Sequence, residues 1–170
     1  MRVEVKAAHQ LSTFEKARID CLVASSLYMY LTGTRWADAD WNVLVWEDED
    51  VVSGADIVER TARVGQRSVR LGGIGDVATK VEWRKRGFAG AALKAAQEFL
   101  RDPLGVDFGL MICTEKMISR YEKLGWQLAA RSMLADQPGG KTTIQYPVMV
   151  LPVKEKEWPQ GEIDLCGLPW

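Results

Sequence analysis

The chain has 170 residues, 47% of them apolar, which is enough to bury one sizeable core and falls within the usual length of a single domain. Its 22 Lys and Arg nearly cancel its 23 Asp and Glu, so no overall field favours nucleic acid or an anionic membrane as the partner. Three dispersed cysteines, Cys21, Cys113 and Cys166, fit reduced thiols better than a disulfide framework, and the lone His9 excludes a His-rich metal site. With no signal-peptide core in Met-Arg-Val-Glu-Val-Lys and no apolar run of spanning length, the expectation is a cytoplasmic protein without metal. It would form one domain over 1–170, with a core of about 1–151 and a tail, 152–170, packed on the surface.

Arg2 to Ala7 alternate as a strand does, and Ser12-Thr-Phe-Glu15 reads as a capping box opening a helix that runs to about Leu31. Thr32 to Asp40 reads as a loop, Trp41 to Trp46 as a second strand, and the acidic run Glu47-Asp-Glu-Asp50 as a hairpin tip. Strands Val51 to Ala62 and Ser68 to Thr79 follow, joined by a turn at Val64-Gly65-Gln66. Beyond Trp83 the apolar period becomes helical through Ala91, Ala92, Ala95, Ala96 and Phe99, until Asp102-Pro103. The remaining elements are a strand, Val106 to Cys113, a short helix, Glu115 to Leu124, and strands Trp126 to Leu134 and Thr143 to Leu151 around the turn Pro138-Gly-Gly140. Pro152 to Trp170 reads as irregular. The order predicts a mixed α/β sheet with helices on its faces.

Glycines at Leu71-Gly-Gly-Ile-Gly-Asp76 fall inside a predicted strand, where they cost stability unless a bulge or a close approach needs them. Something is therefore expected to lie against this strand. Trp83-Arg-Lys-Arg-Gly-Phe-Ala-Gly90 then places backbone N–H groups, three cations and glycines at a helix start, a combination suited to a pyrophosphate. Two other glycine patterns carry nothing: Gly140-Lys-Thr142 lacks the first glycine of a Walker loop, where Ala135 stands, and Gly73-Ile-Gly75 lacks the third glycine of a dinucleotide fingerprint.

Arg84-Lys-Arg-Gly87-Phe-Ala89 resembles the signature of the GNAT superfamily of acyl-CoA N-acyltransferases. Ile118-Ser-Arg-Tyr121-Glu-Lys-Leu-Gly125-Trp126 resembles its second signature. The resemblance covers roughly 51–150. It implies a mostly antiparallel mixed sheet with splayed central strands and acetyl-CoA as co-substrate. Val77, Ala78 and Thr79 would pair with the pantetheine amides, and Arg84, Lys85, Arg86, Gly87, Phe88, Ala89 and Gly90 would grip the pyrophosphate. It further implies an amine acceptor, no nucleic-acid or membrane partner, and compatibility with a homodimer.

The Gly-x-Val-Ala-Thr block and the tryptophan-ended tail are similar to the aminoglycoside 2′-N-acetyltransferases, which would bring aminoglycoside-like acceptors and antibiotic resistance. Those enzymes carry a basic glutamate where Gly75 stands here. Their acidic residue near the carboxyl end is also replaced, leaving the terminal carboxylate of Trp170 as its counterpart.

In the implied reaction Tyr121 protonates the departing thiolate, whose pKa is about 8.5 by analogy with cysteine. The Val77 or Ala78 N–H polarises the thioester carbonyl. For the base, Asp76, Glu82, Glu115 and the Trp170 carboxylate stay open, with Asp76 taken forward alongside Tyr121. Trp36, Trp41 and Trp170 are the expected acceptor-binding residues. Cys113 reads as a buried thiol. The leading function is transfer of an acetyl group from acetyl-CoA to a primary amine of a small molecule. A protein or peptide N-acetyltransferase and a non-catalytic acyl-CoA or amine-binding module are the alternatives.

Overall fold

The structure, a computed structural model, describes residues 1–24 and 33–170. Strands β1 (Arg2–Ala7), β2 (Trp41–Glu47), β3 (Asp50–Val64) and β4 (Arg67–Thr79) form an antiparallel meander with two-residue turns at Asp48-Glu49 and Gly65-Gln66. Helix α1 (Thr13–Val23) starts at the expected capping box: the Glu15 N–H donates to Ser12 Oγ at 3.2 Å and the Ser12 N–H to Glu15 Oε2 at 2.8 Å. The rest of the expected helix to Leu31 lies outside the described residues.

Helix α2 (Phe88–Phe99) leads to β5 (Phe108–Ile112), which pairs in parallel with β4 only from Leu71 to Gly73. After α3 (Ile118–Glu122), the segment expected as one strand from Trp126 to Leu134 is two, β6 (Gln127–Ala130) and β7 (Met133–Gln137). The segment expected as one strand from Thr143 to Leu151 is likewise β8 (Gly140–Ile144) and β9 (Val148–Pro152). Pro147, with no N–H to give a ladder, separates β8 from β9 and lets the two hairpin arms diverge. β6 and β9 extend the sheet beyond β5, whereas the β7–β8 hairpin swings to the other side.

The tail differs most from its expectation. Ile163–Asp164 forms β10, which fills the gap between β3 and β7. Ile163, Leu165 and Trp170 are buried, so this segment completes the sheet and core instead of lying on the surface. An apolar residue every second position around Ile163 and Leu165 supplies the burial, and the buried Asp164 is held by Lys141 Nζ at 2.8 Å, Arg63 at 3.2 Å and the Cys166 N–H at 2.9 Å. The sheet order is β6-β9-β5-β4-β3-β10-β7-β8, with β2 and β1 beside the first half of β3.

Alternation along the strands sorts the core by face. Val43, Ala55, Ile57 and Ile74 pack under α2 with Ala92, Leu93 and Ala96, while Leu44, Val51 and Ala78 meet Ile19 and Leu22 of α1. The expected mixed, mostly antiparallel sheet flanked by helices is thus the fold, and its central pair β4 and β5 splays after Gly73 and Leu110.

Candidate active site

The splay opens a cleft of about 860 Å³ between β4 and β5. Its β4 wall is shaped by a bulge. Between the register pairs Gly54–Ala78 and Asp56–Gly75, β3 spends one residue and β4 two, Asp76 and Val77. Asp76 takes the left-handed conformation at φ 48, a region few residues other than glycine, asparagine and aspartate tolerate. Past the bulge the strand is pinned again, because Ser53 Oγ donates to Ala78 O at 2.7 Å and lies 2.7 Å from Thr79 Oγ1. The β4 edge facing β5 has no ladder partner here, so Val77, Ala78 and Thr79 line the cleft with backbone exposed to a ligand.

Lys85 and Gly87 turn the chain through left-handed conformations, φ 62 and 91, into α2. Gly87 is the N-cap and offers no side chain to the helix, whose first internal bond is Ala91 N–H to Gly87 O at 3.0 Å. The preceding N–H groups, from Phe88 to Gly90, therefore point out of the helix start at its positive end. A methyl at Gly87 or Gly90 would meet nothing within 4 Å, so the approach is open. Arg84 and Lys85 line the cleft, and Arg84 Nε donates to Thr79 O at 3.1 Å. Arg86 does not line it; its guanidinium lies 4.8 Å over the Trp83 ring. The Phe88 side chain is core, edge-on to Trp83 at 5.4 Å, leaving only its backbone for a ligand.

Tyr121 on α3 and Cys113 beyond β5 both reach the cleft. Burial, and then the neighbouring Cys113 thiol, push the Tyr121 phenol above its ordinary pKa against a smaller pull from Arg120. Burial and then Glu115 push Cys113 up to about 11. Both groups are accordingly protonated near neutral pH, which suits Tyr121 as a donor and makes Cys113 a poor nucleophile. On the opposite face of β4, Trp170 lies on Gly73 and Gly75: a methyl at Gly75 would come within 3.2 Å of the Trp170 carbonyl carbon. The indole Nε1–H donates to Leu110 O at 3.3 Å, close to where the β4–β5 ladder ends. Trp36 and Tyr146 join it in the cleft wall. Trp41 lies elsewhere, packed on Phe99 of α2 at 5.4 Å, because β-strand alternation turns it to the α2 face.

The acetyltransferase (GNAT) domain family matches residues 31–129, more than half of the chain. The chain belongs to the GNAT acetyltransferase family. Solved GNAT-like structures agree with the fold. ElaA from Escherichia coli superposes with a TM-score of 0.65 at 13% identity, covering 88% of this chain and 98% of its own. An acyl-CoA N-acyltransferase from Pseudomonas aeruginosa has a TM-score of 0.61 at 10% identity, covering 89% of this chain and 99% of its own. The ribosomal-protein-S18-alanine N-acetyltransferase from Escherichia coli reaches 0.58 at 15% identity, covering 92% of this chain and 97% of its own. No curated protein matches the chain in sequence. A GNAT domain makes the chain an acyltransferase with an acyl-CoA co-substrate and an acceptor.

Within this GNAT site the structure brings together Asp76, Val77, Ala78, Thr79, Arg84, Lys85, Gly87, Phe88, Ala89, Gly90, Tyr121, Trp36 and Trp170. Sequence reasoning missed Tyr146, whose only local signal is the proline after it, and Asp56, which is placed beside the site by a cross-strand register that no local pattern encodes.

Proposed function

We propose that the chain transfers an acetyl group from acetyl-CoA to a primary amine of a small molecule. The observation that carries this reading is the bulged, unpaired β4 edge at Asp76–Thr79 facing a helix start whose first N–H groups open onto the same cleft. Strand edge and helix start suit, respectively, an extended amide chain and a pyrophosphate, the two ends of one CoA molecule. Val77 or Ala78 N–H polarises the thioester carbonyl, and Tyr121 gives its phenolic proton to the departing sulfur. Trp36, Tyr146 and Trp170 form an aromatic wall on the acceptor side, which favours an amine carried on an apolar or ring-shaped body and keeps aminosugars of the aminoglycoside kind within range.

Free-thiol release from acetyl-CoA is measured over a panel of aromatic amines, polyamines, aminosugars and a lysine peptide. Turnover of a small amine, with the lysine peptide slower, is the expected result. Peptide acetylation alone would replace the small-molecule reading, and tight CoA binding without turnover on any amine would point to a non-catalytic module.

A further inference from the structure

β3 carries a half-buried carboxylate, Asp56, directly opposite Gly75 on β4 and Asn42 on β2. Cross-strand partners share a face. Asp56 therefore projects on the side of Gly73 and Gly75, against which Trp170 lies, and away from the α2 core that Ala55 and Ile57 enter. Gly75 has no side chain to stand between Asp56 and the cleft that Gly75 itself lines. Asp56 is also the last paired residue before the bulge that carries Asp76 and Val77. Asn42, only 4% exposed, donates from Nδ2 to Asp56 Oδ1 at 2.6 Å and fixes the carboxyl's orientation.

We propose that Asp56 is the proton acceptor for the incoming amine, an assignment that rests on the acetyltransferase reading above. The register puts it one strand from the bulge where Val77 or Ala78 would hold the thioester. The protonated acceptor gives one N–H proton to the Asp56 carboxylate. The freed nitrogen lone pair then forms the C–N bond as the C–S bond breaks with its electron pair on sulfur. Sulfur takes the Tyr121 proton, the second proton leaving nitrogen restores the phenol, and Asp56 passes its proton to solvent. Ammonium and thioester thus become amide, thiol and one released proton.

The surroundings suit that task. Burial raises Asp56 from an ordinary 3.8 to about 7; the Asp76 charge on β4 adds to this and the Asn42 hydrogen bond opposes it. From α1, Asp20 raises it and Lys16 lowers it. Arg60, two register pairs along β3 on the same face, is drawn away, its guanidinium 5.3 Å over the Trp170 ring and donating to Leu168 O. A base that titrates near neutral pH balances being deprotonated against being able to take a proton.

The test compares wild type, Asp56→Asn and Asp76→Asn in kcat/KM from pH 5.5 to 9, in acetyl-CoA affinity by calorimetry, and in the carboxyl titration of ¹³C-labelled aspartate by NMR. Asp56→Asn is expected to lose at least about 100-fold in kcat/KM, within the usual range for a general base, with acetyl-CoA affinity within about twofold. The acid limb near pH 7 disappears with it, and Asp76→Asn moves that limb to lower pH. Activity of Asp56→Asn within threefold of wild type with the limb intact overturns the assignment. So does an Asp56 carboxyl titrating near 4, whether or not an acceptor is found. Wild type that binds acetyl-CoA but acetylates no amine overturns the transferase reading and the catalytic role together, and is recognised by the absence of turnover before any substitution.

Discussion

Replacing Gly73 by alanine tests how the tail is held against the central strand. The added methyl falls inside the Trp170 indole, against its Cε2, Nε1 and Cδ2 atoms. The strand cannot retreat, because Gly73 is locked in register with Val58 of β3 on one side and Leu110 of β5 on the other. The indole, 6% exposed in the native fold, must therefore leave its seat and give up the bond to Leu110 O. Deleting a buried tryptophan side chain costs about 3–5 kcal/mol, and partial relaxation brings the expected cost of Gly73→Ala to about 2–4 kcal/mol. For a chain of this size that is a fall in Tm of roughly 5–15 °C. Urea unfolding of Gly73→Ala, Trp170→Ala and the double variant makes the test a cycle. Once Trp170 is gone the methyl has nothing to strike, so the double variant should resemble Trp170→Ala alone, with a coupling of about 2 kcal/mol or more. Additive costs, or a Gly73→Ala loss under about 0.5 kcal/mol, would refute the close approach.

Three further outcomes are expected. Arg84→Ala with Arg86→Ala should weaken acyl-CoA binding severalfold and flatten its salt dependence, with most of the loss in the Arg84 single variant because Arg86 rests on Trp83; unchanged affinity by calorimetry would remove the pyrophosphate role. Tyr121→Phe should lower kcat about 10²–10⁴-fold with KM nearly unchanged, and full activity on an accepted amine would end the acid assignment. Asp56 also predicts a stability effect. Because its folded pKa of about 7 lies above the ordinary 3.8, the folded state binds the extra proton between those values, so stability falls as pH rises from about 4 to 7 and is flat above. Asp56→Asn should therefore be neutral near pH 4 and stabilising at pH 8, by up to about 4 kcal/mol. Equal chemical-denaturation midpoints for the two proteins at pH 8 would show that burial does not penalise the charge.

Local signals made the fold and the donor side of the site legible. Ser12 and Glu15 announced α1, the shift to helical period after Trp83 announced α2, and Arg84 to Gly90 carried both a family signature and the physical features of an anion site. The acceptor side was less legible because it is assembled by long-range register. Trp41 was expected in the cleft, but one residue's parity on β2 turns it under α2. The division of 126–151 into four strands depends on where β7 finds a partner, and that partner, β10, comes from a tail whose prolines and glycines mask a two-residue strand. Asp56 is an unremarkable polar residue in its own strand; only its pairing with Gly75 and Asn42 places it beside the bulge.

The glycines of β4 show how a correct inference can have the wrong subject. Their cost inside a strand implied that something lies against them, and the phosphate-binding loop downstream made a ligand the natural occupant. For Gly73 and Gly75 the occupant is the chain's own Trp170, while Gly72 makes room for Leu100. This changes what Gly75 means for catalysis. The resemblance to aminoglycoside 2′-N-acetyltransferases places a glutamate at this position, and its absence argued against a retained base. With Trp170 backbone 3.2 Å from where a side chain would begin, a glutamate has no room there. The carboxylate across the ladder at Asp56 lies on the same face, oriented by Asn42 and raised toward neutral pH by burial and by Asp76. Tail docking and a base on β3 are thus one arrangement: the residue that excludes a carboxylate from β4 also walls the space into which the carboxylate on β3 can act.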